Sequence, residues 1–93
     1  MTFEIQYADS AKQDRPKLQK TIKEQIKRAI EKKLTTFPEI FGKPLRNSLQ
    51  GYRRIRVGDY RVIFRIEKNI VKIFKIEHRS IVYRDLILKI IED

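Results

Sequence analysis

The chain has 93 residues, no cysteine, and 22 Lys and Arg against 12 Asp and Glu, for a formal charge of +10. That length supports one modest core, so residues 1–93 are expected to form a single domain, and the lack of cysteine excludes disulfides and thiolate metal sites. The charge excess points to a polyanionic partner, either nucleic acid, an anionic membrane surface or an acidic protein.

The opening, MTFEIQYADSAK, contains no long apolar run. No signal peptide is expected, no stretch is long enough to span a membrane, and the expected setting is cytoplasmic. TFEIQY alternates, with Phe3, Ile5 and Tyr7 on one side, which predicts a strand over Thr2–Tyr7. Asp9 or Ser10 can cap a following helix. From Leu18 the apolar spacing turns helical, through Ile22, Ile26, Ala29, Ile30 and Leu34, and predicts a helix to about Thr36. Pro16 either starts this helix or breaks a helical hairpin that begins at Ser10. FPEIFGKPLRNSLQG, with Pro38, Gly42, Pro44 and Gly51, reads as loop. Strands follow at about Tyr52–Val57, Tyr60–Glu67 and Ile70–Ile76, joined by turns at Gly58-Asp59, with the Gly-first pattern of a II′ turn, and at Lys68-Asn69. VYRDLILKIIED at the end reads as a short strand leading into a helix, Asp85–Ile91. The plan is α+β, with helices on one face of an antiparallel meander and the other face open.

GYRRIRVGDYRVIFRI, Gly51 to Ile66, carries five arginines. A two-residue turn at Gly58-Asp59 pairs Val57 with Tyr60 and sets Arg56 opposite Arg61. Side chains alternate, so Ile55, Val57, Tyr60, Val62, Phe64 and Ile66 form the core face. Tyr52, Arg54, Arg56, Arg61, Ile63 and Arg65 share the open face. Arg53 points the other way, as an edge or salt-bridging residue. A tight turn at Lys68-Asn69 adds Lys72 opposite Arg65, with Phe74 and Ile76 beside it. Like charges directly opposite cost a few tenths of a kcal/mol to about 1 kcal/mol. A bound phosphate reverses that penalty, because two guanidiniums can grip it with charge-assisted hydrogen bonds. Tyr52 and Phe74 offer stacking surfaces for bases nearby.

Other chemistry is sparse. His78 is the only histidine, so a zinc site is not expected, and no cofactor is. A lone histidine is more often structural, although His78 can also contact substrate. There is no Gly-rich phosphate loop and no Gly-x-Ser-x-Gly motif. What remains is Arg, Lys, Tyr and one His. RNA supplies its own nucleophile, the 2′-OH, and its cleavage needs charge stabilisation, a base and an acid but no metal.

LRNSLQGYRRIRVGDYRVIFRI, followed by IFKIEHRSIVYRD, resembles the RelE/ParE toxin superfamily of type II toxin–antitoxin systems, and the resemblance covers almost the whole chain. It implies a small α+β fold, an antiparallel sheet of about four strands with two N-terminal helices packed on one face, here with a short C-terminal helix. The RelE-like branch cleaves mRNA in the ribosomal A site by 2′-OH attack without metal, and the ParE-like branch poisons DNA gyrase. On the RelE-like pattern Arg61 matches a phosphate-binding arginine, Tyr83 the catalytic tyrosine, and Arg79 the arginine that protonates the leaving oxygen. Arg54 and Arg56 fall where the best-studied members have lysines, which keeps the charge but makes general-base action harder.

The expected function is therefore a ribosome-dependent mRNA endonuclease toxin. Its expected catalytic residues are Arg54, Arg56, Arg61, Arg79 and Tyr83, and its expected substrate contacts are Tyr52, Arg65, Lys72, Phe74 and His78. Its partners would be ribosome and mRNA, together with a cognate antitoxin that presents an acidic or amphipathic segment. The alternatives are a non-catalytic gyrase inhibitor and a plain RNA-binding module.

Overall fold

A computed structural model describes residues 2–44 and 51–78 of the chain. Strand β1 (Glu4–Tyr7) leads into helix α1 (Asp9–Asp14) and a 3-10 turn (Arg15–Lys17). Helix α2 (Lys20–Ala29) follows and widens into a π-helical turn (Ile30–Leu34), then comes the short helix α3 (Pro38–Phe41). The chain then enters β2 (Lys43–Pro44), β3 (Arg53–Val57), β4 (Tyr60–Glu67) and β5 (Ile70–His78). These strands form one sheet in the order β1-β5-β4-β3-β2. The helices thus carry the chain from one sheet edge to the other, and a meander brings it back.

Each step has a local cause. Pro16 lies in the 3-10 turn, and Leu18 beyond it is extended at ψ 143°, so of the two expected roles the proline takes the breaking one and divides a helical hairpin. The residue before α1 is Ala8, with no side-chain cap. Ser10 is not a cap either, because its hydroxyl donates instead to the Phe74 carbonyl. In α2 and the π turn, Ile22, Ile26, Ile30 and Leu34 recur every four residues and line the inner stripe. The Thr36 hydroxyl donates to the Lys32 carbonyl at 3.0 Å, satisfying one of the carbonyls a helix end leaves open.

The core lies between these helices and one sheet face. Ala11, Ile26, Ile30 and Leu34 meet Ile55, Val62, Phe64, Val71, Ile73 and Ile76. The expected core face is borne out at Ile55, Val62 and Phe64, with Val57, Tyr60 and Ile66 packed against its margin. The Gly58-Asp59 turn takes Gly58 to φ 61°, where glycine has no Cβ penalty. Its register is the expected one: Val57 faces Tyr60, Arg56 faces Arg61 and Ile55 faces Val62.

Three features depart from the expectation. The sheet has five strands and is mixed, since β1 runs parallel to β5, and Lys43–Pro44, read as loop, pairs with Arg54 and Arg53 as an edge strand. Ile76, expected beside Phe74 on the open face, is buried in the core. The cause is a register shift opposite Ile63 and Phe64, where Phe64 faces Ile73 and Ile63 faces Lys75. Phe74 is the extra residue, and one extra residue reverses the facing of all that follow. Finally, the second face is not open throughout, because Ile63 and Arg61 on it are buried. The expected C-terminal strand and helix lie outside the described residues.

Candidate functional site

On the second sheet face the register sets out three cross-strand rows. The first is Arg56, Arg61 and Glu77, the second Lys43, Arg54, Ile63 and Lys75, the third Arg65, Lys72 and Gln6. The β3–β4 hairpin therefore brings Arg54, Arg56 and Arg61 together. They line a cleft of about 310 Å³ with Lys33, Lys43 and Phe41. Five of its seven lining residues are cationic and none is acidic.

Within the cleft the arginines differ. Arg61 is only 7% exposed, and its Nη1 donates to the carbonyls of Tyr60 at 3.2 Å and Gly58 at 3.4 Å. These bonds hold its guanidinium against the turn. Arg56, its cross-strand neighbour, is exposed, and Arg54 is half-buried. A guanidinium held by carbonyls beside an exposed one suits a tetrahedral oxyanion, which both can reach with charge-assisted hydrogen bonds.

Sequence reasoning missed three residues here. Lys33 comes from the π turn, where the helical pattern marked it only as a polar position. Lys43 sits on the edge strand that reads as loop. Glu77 faces Arg61 only because of the bulge. Glu77 binds the Lys75 ammonium at 2.8 Å through Oε1, and its buried Oε2 has no hydrogen-bond partner among the described residues.

The expected substrate contacts divide. Tyr52, Arg65, Lys72 and Phe74 form a second cluster, four residues along β4 from Arg61, or about 13 Å. The rings of Tyr52 and Phe74 meet edge-to-face at 5.1 Å. The Arg65 guanidinium lies 5.5 Å from each ring centroid, and Lys72 Nζ lies 5.6 Å from that of Phe74. Arg65 is also paired with Glu67, and this bond holds the Glu67 carboxyl below its ordinary pKa. Arg65 is therefore already partly neutralised. His78 stands apart from both clusters, edge-on to Tyr60 at 5.6 Å, on the row that faces the core. Arg53 turns away as expected, donating to the carbonyls of Gly42 at 3.0 Å and Glu39 at 3.4 Å. Arg79 and Tyr83 lie outside the described residues. Among the described residues no group of three or more His, Cys, Asp or Glu side chains is placed to hold a metal ion.

The α1 end of the site is pinned from behind. Beyond Tyr7, β1 no longer covers the edge of β5, and α1 takes over its hydrogen bonds. Asp14, 3% exposed, accepts from the Ile76 amide at 3.1 Å and from Lys75 Nζ at 3.2 Å. Burial opposes the charge on Lys75, but the bonds to Glu77 and Asp14 outweigh it and raise the Lys75 pKa above its ordinary value.

The sequence profile of the ParE toxin of type II toxin–antitoxin systems matches residues 5–83, and the chain belongs to that family. Toxin RelG of Mycobacterium tuberculosis is 33% identical over 86 residues, spanning 90% of this chain and 99% of RelG. The crystal structure of the M. tuberculosis toxin–antitoxin complex RelBE2 aligns with a TM-score of 0.78 at 29% identity, over 86% of this chain and 94% of that one. An E. coli RelE variant in the free state shares the fold, with a TM-score of 0.71 at 21% identity over 97% of this chain and 99% of that one. Among the described residues, no helix is long and apolar enough to cross a membrane.

Proposed function

We propose that residues 1–93 act as one toxin domain, a cytoplasmic ribosome-dependent mRNA endonuclease held in check by a cognate antitoxin. The observation that carries the reading is the cleft in which Arg54, Arg56 and Arg61 converge with Lys33 and Lys43 and no carboxylate. Arg56 facing Arg61 across the ladder is by itself destabilising, and an anion bound between them offsets that cost. The arrangement suits an RNA phosphate whose charge grows in the transition state.

In this reading Arg56 and Arg61 hold the scissile phosphate. The 2′-oxygen attacks phosphorus, the bond to the 5′-oxygen breaks, and a 2′,3′-cyclic phosphate and a 5′-hydroxyl result. The proton lost by the 2′-OH is balanced by one delivered to the leaving oxygen. Arg54 and Arg79 stabilise charge and serve proton transfer, and Tyr83 orients the nucleotide. Tyr52, Phe74, Arg65 and Lys72 contact RNA away from the reacting phosphate, by stacking and by charge. The antitoxin follows from the toxin–antitoxin complexes among the structural relatives.

The test is expression of Arg61→Ala and Tyr83→Phe variants. Loss of a phosphate-gripping group should slow cleavage by on the order of 10²-fold and relieve growth arrest. Two folded variants that remain fully toxic would refute the site. The ParE description of the matching profile favours one second reading, a non-catalytic gyrase inhibitor. It predicts an SOS response with intact mRNA.

A further inference from the structure

Three large apolar side chains stand exposed around α3: Phe37 at 59%, Ile40 at 74% and Phe41 at 45%. Their exposure does not come from a loose segment. Pro38 beneath them is buried, the Gly42 amide closes on the Pro38 carbonyl at 2.9 Å, and Arg53 ties down the Glu39 and Gly42 carbonyls. The result is a preformed apolar knob. Beside it runs a groove of about 150 Å³ lined by Phe3, Thr36, Phe37, Pro38, Glu39 and Ile40, with room for one inserted apolar side chain; Glu39 is its one carboxylate, against Lys33 and Lys43 on the Phe41 side. Clustered exposed apolar surface of this kind marks a binding site.

Charge identifies the occupant. Phe41 belongs both to the knob and to the basic cleft, and Lys33 Nζ lies 5.8 Å from its ring. A segment laid over Phe37, Ile40 and Phe41 therefore meets Lys33 and Lys43 along one side. A second copy of this chain would bring a further +10 against those lysines. RNA would gain little at Ile40, the most exposed of the three, which has no ring to stack on. We propose that α3 is the docking site for an acidic amphipathic segment of the antitoxin, which closes the cleft from its Phe41 side. The proposal rests on the toxin–antitoxin reading above and is independent of the nuclease chemistry.

The test is the Phe37→Ser/Ile40→Glu double variant of the full chain, titrated with its cognate antitoxin beside the wild type. A central anchor of this kind should weaken antitoxin binding at least about tenfold, while affinity for a single-stranded RNA oligonucleotide stays at the wild-type level. Hydrogen exchange on the wild-type complex keeps the test independent of the variant's folding, and the amides of Phe37 and of residues 39–42 should gain protection there. Unchanged antitoxin affinity in the double variant, or no added protection at those amides, overturns the docking site. Loss of RNA affinity alone would assign the knob to RNA, and loss of self-association alone to a second copy, and either result overturns it too. An antitoxin that binds no part of the chain would instead overturn the toxin–antitoxin reading itself.

Discussion

At the scale of single residues, the charged groups divide by their surroundings. Arg61 is anchored by carbonyls, Arg65 is neutralised by Glu67, and Lys75 is locked between Asp14 and Glu77. Arg61 lines the basic cleft, whereas Arg65 and Lys75 carry carboxylate partners. Lys75 has a structural duty with a pH signature. Its folded pKa lies above the ordinary 10.5, so its contribution to stability is complete below about pH 10.5 and lost as pH rises through the folded pKa. Tyr7, whose pKa burial raises above 10.0, loses stability in the same alkaline window. The urea midpoint should therefore fall as pH rises above about 10, and Lys75→Met should remove part of that fall. An identical decline in the variant would show that the Asp14–Lys75–Glu77 group does not couple to folding.

At the scale of elements, the hairpin was legible and the bulge was not. Gly58-Asp59 names its own turn, and alternation from that turn puts Arg56 opposite Arg61 without further information. Nothing local marks Phe74 as the extra residue, because IVKIFKIEH alternates acceptably in either register. The choice is made by packing, which takes Ile73 and Ile76 into the core, and by Asp14 receiving the Ile76 amide. Lys43–Pro44 was illegible for a related reason, since a two-residue edge strand has no period to read. Its position depends on Gly42, where a Cβ would overlap the Phe64 ring and approach the Pro38 carbonyl to 2.9 Å. Gly42→Ala should destabilise the fold by about 1–3 kcal/mol, read as a lowered denaturation midpoint. Shortening the ring with Phe64→Leu should make the Gly42→Ala cost smaller. Additive effects of the two changes would argue against the close approach.

At the scale of the whole molecule, the sheet divides its labour between faces. One face is spent on the core, and the other carries cations supplied by the helical layer, the edge strand and the hairpin. The sequence showed that cations would gather, but not that Lys33 and Lys43 would join them, because that depends on how the π turn and β2 meet the hairpin. A polyanion bound there should show steep salt dependence. For single-stranded RNA each neutralised phosphate contributes a slope of about −0.7 in log K against log salt. Arg56→Ala should reduce the slope by about that amount, and Lys20→Ala on exposed α2 should leave it unchanged. Equal slopes for both variants would mean diffuse attraction rather than a cleft. Primer extension on mRNA from cells expressing the toxin reads whether translated mRNA is cleaved. Codon-positioned cuts that the Arg61→Ala variant does not make are the expected result. Intact mRNA with an SOS response from the folded wild-type toxin would contradict it.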